Sequence, residues 1–257
     1  MFWKLLKYEF KNVNKWYLAL YGAILAVSVI IGLFLMGLAR QVGISGDISQ
    51  PITNNSAGFG LTIILFMVFF GLMVALGIST LFLIIRRFKN SVFERQGYLT
   101  LTLPVNQHQI ILAKLTGAVV WSLLSALTLI LSIAIIFGMI VSTAPTAFDW
   151  GLLGPASLEY GNIALTALYL LLSTISGVLL IYFCISIGQL FEDHRTAMAF
   201  LVYFVIQIIL TIFAFNFSPS ASQFTMTMNF SIILDLALSI VYYAGTYYVL
   251  KNKVNLQ

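Results

Sequence analysis

The sequence predicts an all-α integral membrane protein of six transmembrane helices, with an amphipathic helix at its N-terminus. Three observations lead there: a composition starved of charge, six long apolar runs, and basic residues confined to alternate connections. Of 257 residues, 61% are hydrophobic and 8% charged, against about 25% charged in an average soluble domain. Such a chain cannot coat a globule with polar groups, so lipid is its solvent over most of its length. Crossing about 30 Å of hydrocarbon at 1.5 Å per residue takes about 20 apolar residues. The chain has room for about six such spans in a single transmembrane domain over residues 1–257, and for no large soluble domain.

In chain order, residues 1–15 come first. Trp3, Leu6, Phe10, Val13 and Tyr17 recur at steps of 3, 4, 3 and 4, while Lys4, Lys7, Lys11 and Lys15 gather on another side. A helix with an aromatic face and a lysine face lies along the membrane interface. Trp3, Leu6, Lys7, Phe10 and Lys11 are its candidate anchors, serving lipid attachment or also contact with a partner protein. No small-residue cleavage site follows, so the first span is expected to stay in the mature protein.

The apolar runs cover about 16–38, 60–86, 110–142, 161–191, 196–217 and 227–250. Helices are required because backbone groups in lipid must be satisfied within each segment. The ten-residue alternations of barrel strands do not occur. Placing both termini, the second-to-third connection and the fourth-to-fifth connection on one side collects twelve basic residues there. These are Lys4, Lys7, Lys11, Lys15, Arg86, Arg87, Lys89, Arg95, Lys114, Arg195, Lys251 and Lys253; Arg40 alone falls on the other side. Twelve against one places that side in the cytoplasm, with an even number of spans. This pattern also makes the +5 net charge a topological signal, so no nucleic-acid partner is expected. The outward connections, about 39–59 and 143–160, carry Asp47, Asp149 and Glu159 among loop-forming residues.

Between the second and third spans, residues 87–109 form a cytoplasmic excursion long enough for a helix of a few turns. Pro104 holds Leu103 extended, and Asn106 with Gln109 has the spacing of a capping box. Inside this segment, Glu94, Gly97-Tyr98-Leu99-Thr100 and Thr102-Leu103-Pro104 resemble the intracellular signature of bacterial type-2 ABC transporter permeases. The opening Leu5-Leu6-Lys7-Tyr8-Glu9-Phe10 is similar to the N-terminus of the same family, and the resemblance covers essentially the whole chain. It implies a permease subunit in the cytoplasmic membrane of a bacterium, paired with a second permease copy or a related permease. A cytoplasmic ABC ATPase dimer would drive it, with ATP and Mg bound there and no cofactor in this chain. Residues 87–109 would then contain a coupling helix whose core is Glu94, Gly97, Tyr98, Thr100 and Pro104. The short link near Ser218-Pro219-Ser220 leaves little room for the external re-entrant helices of some relatives, which favours an amphipathic or antimicrobial peptide or drug as cargo over lipid or polysaccharide.

Within the spans, Asp235 is the one acidic residue deep in an apolar run. A charge there costs about 2.5–3.5 kcal/mol, so it should not face lipid. Thr227, Ser231, Ser239, Tyr242 and Thr246 share its helical stripe, and Tyr203, Gln207 and Thr211 make a weaker one in the fifth span. Asp235, Ser231, Ser239, Tyr242 and Gln207 are therefore candidates for a substrate route or subunit interface, or for hydrogen bonding between helices. Gly71, Ala75 and Ser79, Ser173 with Gly177, and Cys184 with Gly188 predict close helix packing.

Glu192-Asp193-His194-Arg195 reads as a solvated turn, and His108 as a histidine at a helix start without companion ligands. No phosphate-binding loop, His-Glu-x-x-His pair or Gly-x-Ser-x-Gly elbow occurs, so the chain is not expected to be an enzyme. Two other readings stand beside the permease: a non-transporting scaffold or immunity protein, and an intramembrane protease using Glu192 and His194.

Overall fold

A computed structural model describes residues 15–45, 56–93, 107–143, 160–191, 194–217 and 224–252. They form six helices: α1 Lys15–Ser45, α2 Ser56–Val92, α3 Gln107–Thr143, α4 Tyr160–Gly188, α5 Arg195–Phe217 and α6 Phe224–Asn252. Each is long and apolar enough to cross a membrane. The helices run past several sequence-based limits. α2 continues beyond residue 86 to Val92, since neither proline nor glycine interrupts it, and the Phe93 N–H closes its last turn on the Lys89 carbonyl at 2.9 Å. α2 and α3 have 37 residues each, a rise of about 55 Å against about 30 Å of hydrocarbon. Their ends therefore project beyond it. α1 likewise carries helix past residue 38 to Ser45, into the expected outward connection.

The chain divides into two compact units. One contains the described residues within 82–120 and 158–257. Its core is built around α4, whose Val178, Leu179, Leu180, Tyr182, Cys184 and Ile185 are buried together with Phe88, Ile111, Leu115 and Tyr242. α4 packs along α6 and against α5. In its most apolar window 44% of α4 is buried, against 0% for α5, so α4 is the interior helix of this unit and α5 a peripheral one. Gly245 lets α6 close on α4, because a Cβ there would collide with the Phe183 ring. Gly188 closes the α4–α5 turn: a Cβ would lie 2.6 Å from the Arg195 carbonyl oxygen.

The other unit holds residues 13–81 and 121–157. Ile24 and Ile31 of α1, Phe69 and Leu76 of α2 and Ile136 of α3 form its core. A knot of hydroxyls joins the same three helices. Tyr17 Oη lies 2.7 Å from Thr80 Oγ1 and 3.0 Å from Ser125 Oγ, and Tyr21 Oη donates to the Trp121 carbonyl at 3.3 Å. Thr80 and Ser125 give their own protons to Leu76 and Trp121 carbonyls of their own helices, at 2.7 and 2.8 Å. That leaves the single Tyr17 proton for one of these two oxygens, across the helices. The ring packs edge-on against Tyr21 and Trp121, at 5.0 and 5.7 Å.

Two expectations change here. Tyr17 belongs to the stripe assigned to the membrane interface, yet it is 6% exposed and turned into protein. The small-residue steps also divide: Gly188 is a close approach, whereas a Cβ at Gly71 or Gly177 meets open space. At those two positions the absence of a side chain serves no contact among the described residues.

Candidate functional site

The signature residues Glu94, Gly97, Tyr98, Thr100 and Pro104 lie outside the described residues, as do Trp3, Leu6, Lys7, Phe10 and Lys11. What the structure supplies is the pair of helix ends on either side of the signature, both in the α4-centred unit. At the end of α2, Phe88 is fully buried, stacked on Tyr182 of α4 at 3.9 Å and edge-on to Phe93 at 5.9 Å. One position on, Lys89 Nζ donates to Thr196 Oγ1 of α5 at 3.2 Å. At the start of α3, His108 Nδ1 lies 2.7 Å from Tyr243 Oη and its ring stacks on Tyr247 at 4.0 Å. Lys251 Nζ sits over the same Tyr247 ring, 5.8 Å from its centroid, within cation–π range.

Tyr243, Tyr247 and Lys251 follow at four-residue steps, which puts them on one face of α6. His108 thus has companions, but they are aromatic partners and not metal ligands. The end of α2 is held to α4 and α5, and the start of α3 to α6. Nothing in this set is a nucleophile with an adjacent base. Its chemistry is that of attachment: packed rings and two polar contacts join the end of α2 and the start of α3 to α4, α5 and α6. Lys114, counted in the sequence as a cytoplasmic charge, is buried on α3 at 8% exposure, so its stem is packing material as well as a carrier of charge.

The second candidate is the Asp235 stripe. Helical register brings Ser231, Asp235, Ser239 and Tyr242 to one side of α6, as the sequence predicts. The hydroxyls do not bridge helices. Ser231 Oγ donates to the Thr227 carbonyl at 2.9 Å, Ser239 Oγ to the Asp235 carbonyl at 2.7 Å and Thr246 Oγ1 to the Tyr242 carbonyl at 2.7 Å. Each proton returns to its own helix, a common resolution for hydroxyls away from water. Gln207 behaves alike, its amide donating to Tyr203 Oη at 3.2 Å within α5.

Tyr242 is different: it is 4% exposed, and its hydroxyl has no hydrogen-bond partner among the described residues. It belongs to the same buried core cluster as Cys184 of α4, which spacing had marked for packing. Comparison with protein-family models, with curated proteins and with solved structures gives no match. The site's chemistry thus has to be read from its own atoms.

The α4–α5 turn carries the remaining candidates. His194 has a φ of 57°, in the left-handed region that histidine tolerates better than most residues. Its carbonyl accepts the Met198 N–H at 3.0 Å, so it is the residue from which α5 starts. Its side chain is exposed, in line with a solvated turn. Glu192 lies outside the described residues.

Proposed function

We propose that this chain is the permease subunit of an ATP-binding cassette exporter in the cytoplasmic membrane of a bacterium, driven by a separate ATPase. The reading rests on the Glu94–Pro104 signature lying between two helices whose ends are each fastened to the α4-centred unit. Phe88 on Tyr182, Lys89 on Thr196 and His108 on Tyr243 and Tyr247 form these fastenings. A coupling helix needs such fastenings: closure of an ATPase dimer moves a short segment, and rigid contacts must carry that displacement to the spans. The six apolar helices supply the bundle to be moved. In this reading Glu94 and Tyr98 seat in the ATPase, residues 1–15 lie along the inner leaflet, and a second permease completes the pathway. The cargo is an amphipathic peptide or drug.

The test is reconstitution with an ABC ATPase that copurifies with the chain. Glu94→Ala and Tyr98→Ala should abolish substrate-stimulated ATP hydrolysis while membrane insertion and copurification of the permease dimer persist. Full stimulation in both variants, or export by this polypeptide without any ATPase, would dismiss the proposal.

A further inference from the structure

We infer that Asp235 and the Tyr242 hydroxyl form a binding site for an organic ammonium group carried on an apolar body. The inference names a substrate class for the transport reading and rests on it in that respect, although the binding site can be tested without any ATPase.

The argument begins with what Asp235 lacks. Among the described residues its carboxylate has neither a hydrogen bond nor an ion pair, and no cationic side chain acts on it. The stripe hydroxyls on α6 do not compensate, because Ser231 and Ser239 donate to backbone carbonyls of their own helix. An ionisable residue kept inside a span without a partner marks a functional position by default.

A second, independent observation lies two turns further along. The Tyr242 hydroxyl is buried and unpartnered, and such orphans are rare because each forfeits its hydration. Long side chains on a helix lean towards its N-terminus, which aims this ring back along α6 towards Asp235. Phe183 of α4 flanks the ring at 5.7 Å.

The donor and acceptor inventory then selects the ligand. The Asp235 carboxylate, the Tyr242 phenolic oxygen and a second lone pair on Ser239 Oγ share one side of α6. Among the described residues no cationic side chain acts on that carboxylate. An ammonium group brings three N–H donors and the charge that the site lacks. Calcium or magnesium would require six or more oxygen ligands, several of them carboxylates or waters, and one carboxylate does not meet that need. Leu236, next to Asp235 on α6, is exposed and apolar, so a ligand arriving from the bilayer meets hydrocarbon before it meets Asp235.

The probe is dansylcadaverine, a fluorescent monocation, with its neutral N-acetyl derivative as control, titrated against the full chain in lipid nanodiscs. The amine should bind saturably and the acetamide should show only the background of empty discs. Asp235→Asn should weaken amine binding by at least about tenfold, equal to about 1.4 kcal/mol. Tyr242→Phe should weaken it less, and Asp235→Glu should retain it. Equal binding of amine and acetamide to the unaltered chain would overturn the inference with no variant required, as would unchanged affinity in Asp235→Asn. Lost ATPase coupling with amine binding intact would instead defeat only the transport reading.

Discussion

Gly188→Ala should destabilise the protein by about 1–2 kcal/mol. The added Cβ would stand 2.6 Å from the Arg195 carbonyl oxygen, 2.8 Å from Ala199 Cβ and 3.0 Å from the Ala199 nitrogen. Ordinary contact begins near 3.4 Å, so the first turn of α5 has to retreat by about 0.8 Å. Two of the three obstructing atoms are backbone and cannot swing aside. Overpacking of this kind costs about 1–3 kcal/mol. Alanine returns part of that through its better helix propensity, at most about 1 kcal/mol inside a helix and less at the last position of α4. Retreat is hindered further because His194 already holds a left-handed conformation at the start of α5. The assay is reversible unfolding in mixed micelles, followed by circular dichroism. Ala199→Gly in the same chain removes the Cβ obstruction and leaves the carbonyl, so it should recover less than half of the loss. A Gly188→Ala protein as stable as the parent would refute the reasoning, since it would mean that the α4–α5 turn has slack.

Other expectations follow from the same geometry. His108→Phe and Tyr243→Phe should each cost about 0.5–1.5 kcal/mol, and the double variant little more, because both remove one hydrogen bond while keeping the stacked rings; full additivity in a double-mutant cycle would deny the contact. Tyr17→Phe should cost only about 0.6–1.7 kcal/mol, since Thr80 and Ser125 keep their carbonyl partners. Tyr17→Ala should cost about 3–5 kcal/mol through the lost ring, and equal losses in the two variants would show that the hydroxyl, not the packing, dominates. With Cys184 replaced by alanine, a cysteine at position 251 should react with an impermeant maleimide in inverted vesicles and not in intact cells. The opposite pattern would reverse the assigned topology.

Much of the architecture was legible in the sequence because hydrocarbon thickness sets the length of every apolar run. The six spans follow from that alone. The Asp235 stripe was legible for a related reason: helical register determines which residues share a side, whatever the neighbours are. Which side meets protein is a different matter. Tyr17 falls on the same apolar stripe as Trp3 and Phe10, yet α1 turns it towards Thr80 and Ser125. Periodicity cannot distinguish a lipid-facing ring from a protein-facing one when both surroundings are apolar. Gly71 illustrates the converse, a packing signal that meets nothing among the described residues. The His108 attachment was hidden because its partners lie 135 residues away; the Tyr243, Tyr247 and Lys251 spacing was the available clue, and only a fold could say what faced it. The role of Glu94 and its neighbours rests on resemblance.

The self-bonded hydroxyls of α4, α5 and α6 have a mechanical consequence. Ser186, Thr211, Ser231, Ser239 and Thr246 all donate to a carbonyl four residues back. Sliding one of these helices along another would break none of those bonds and strand no donor in oil. These five hydroxyls act as bearings and not as bolts. A Tyr17-type knot, by contrast, has to be undone before its three helices can shift.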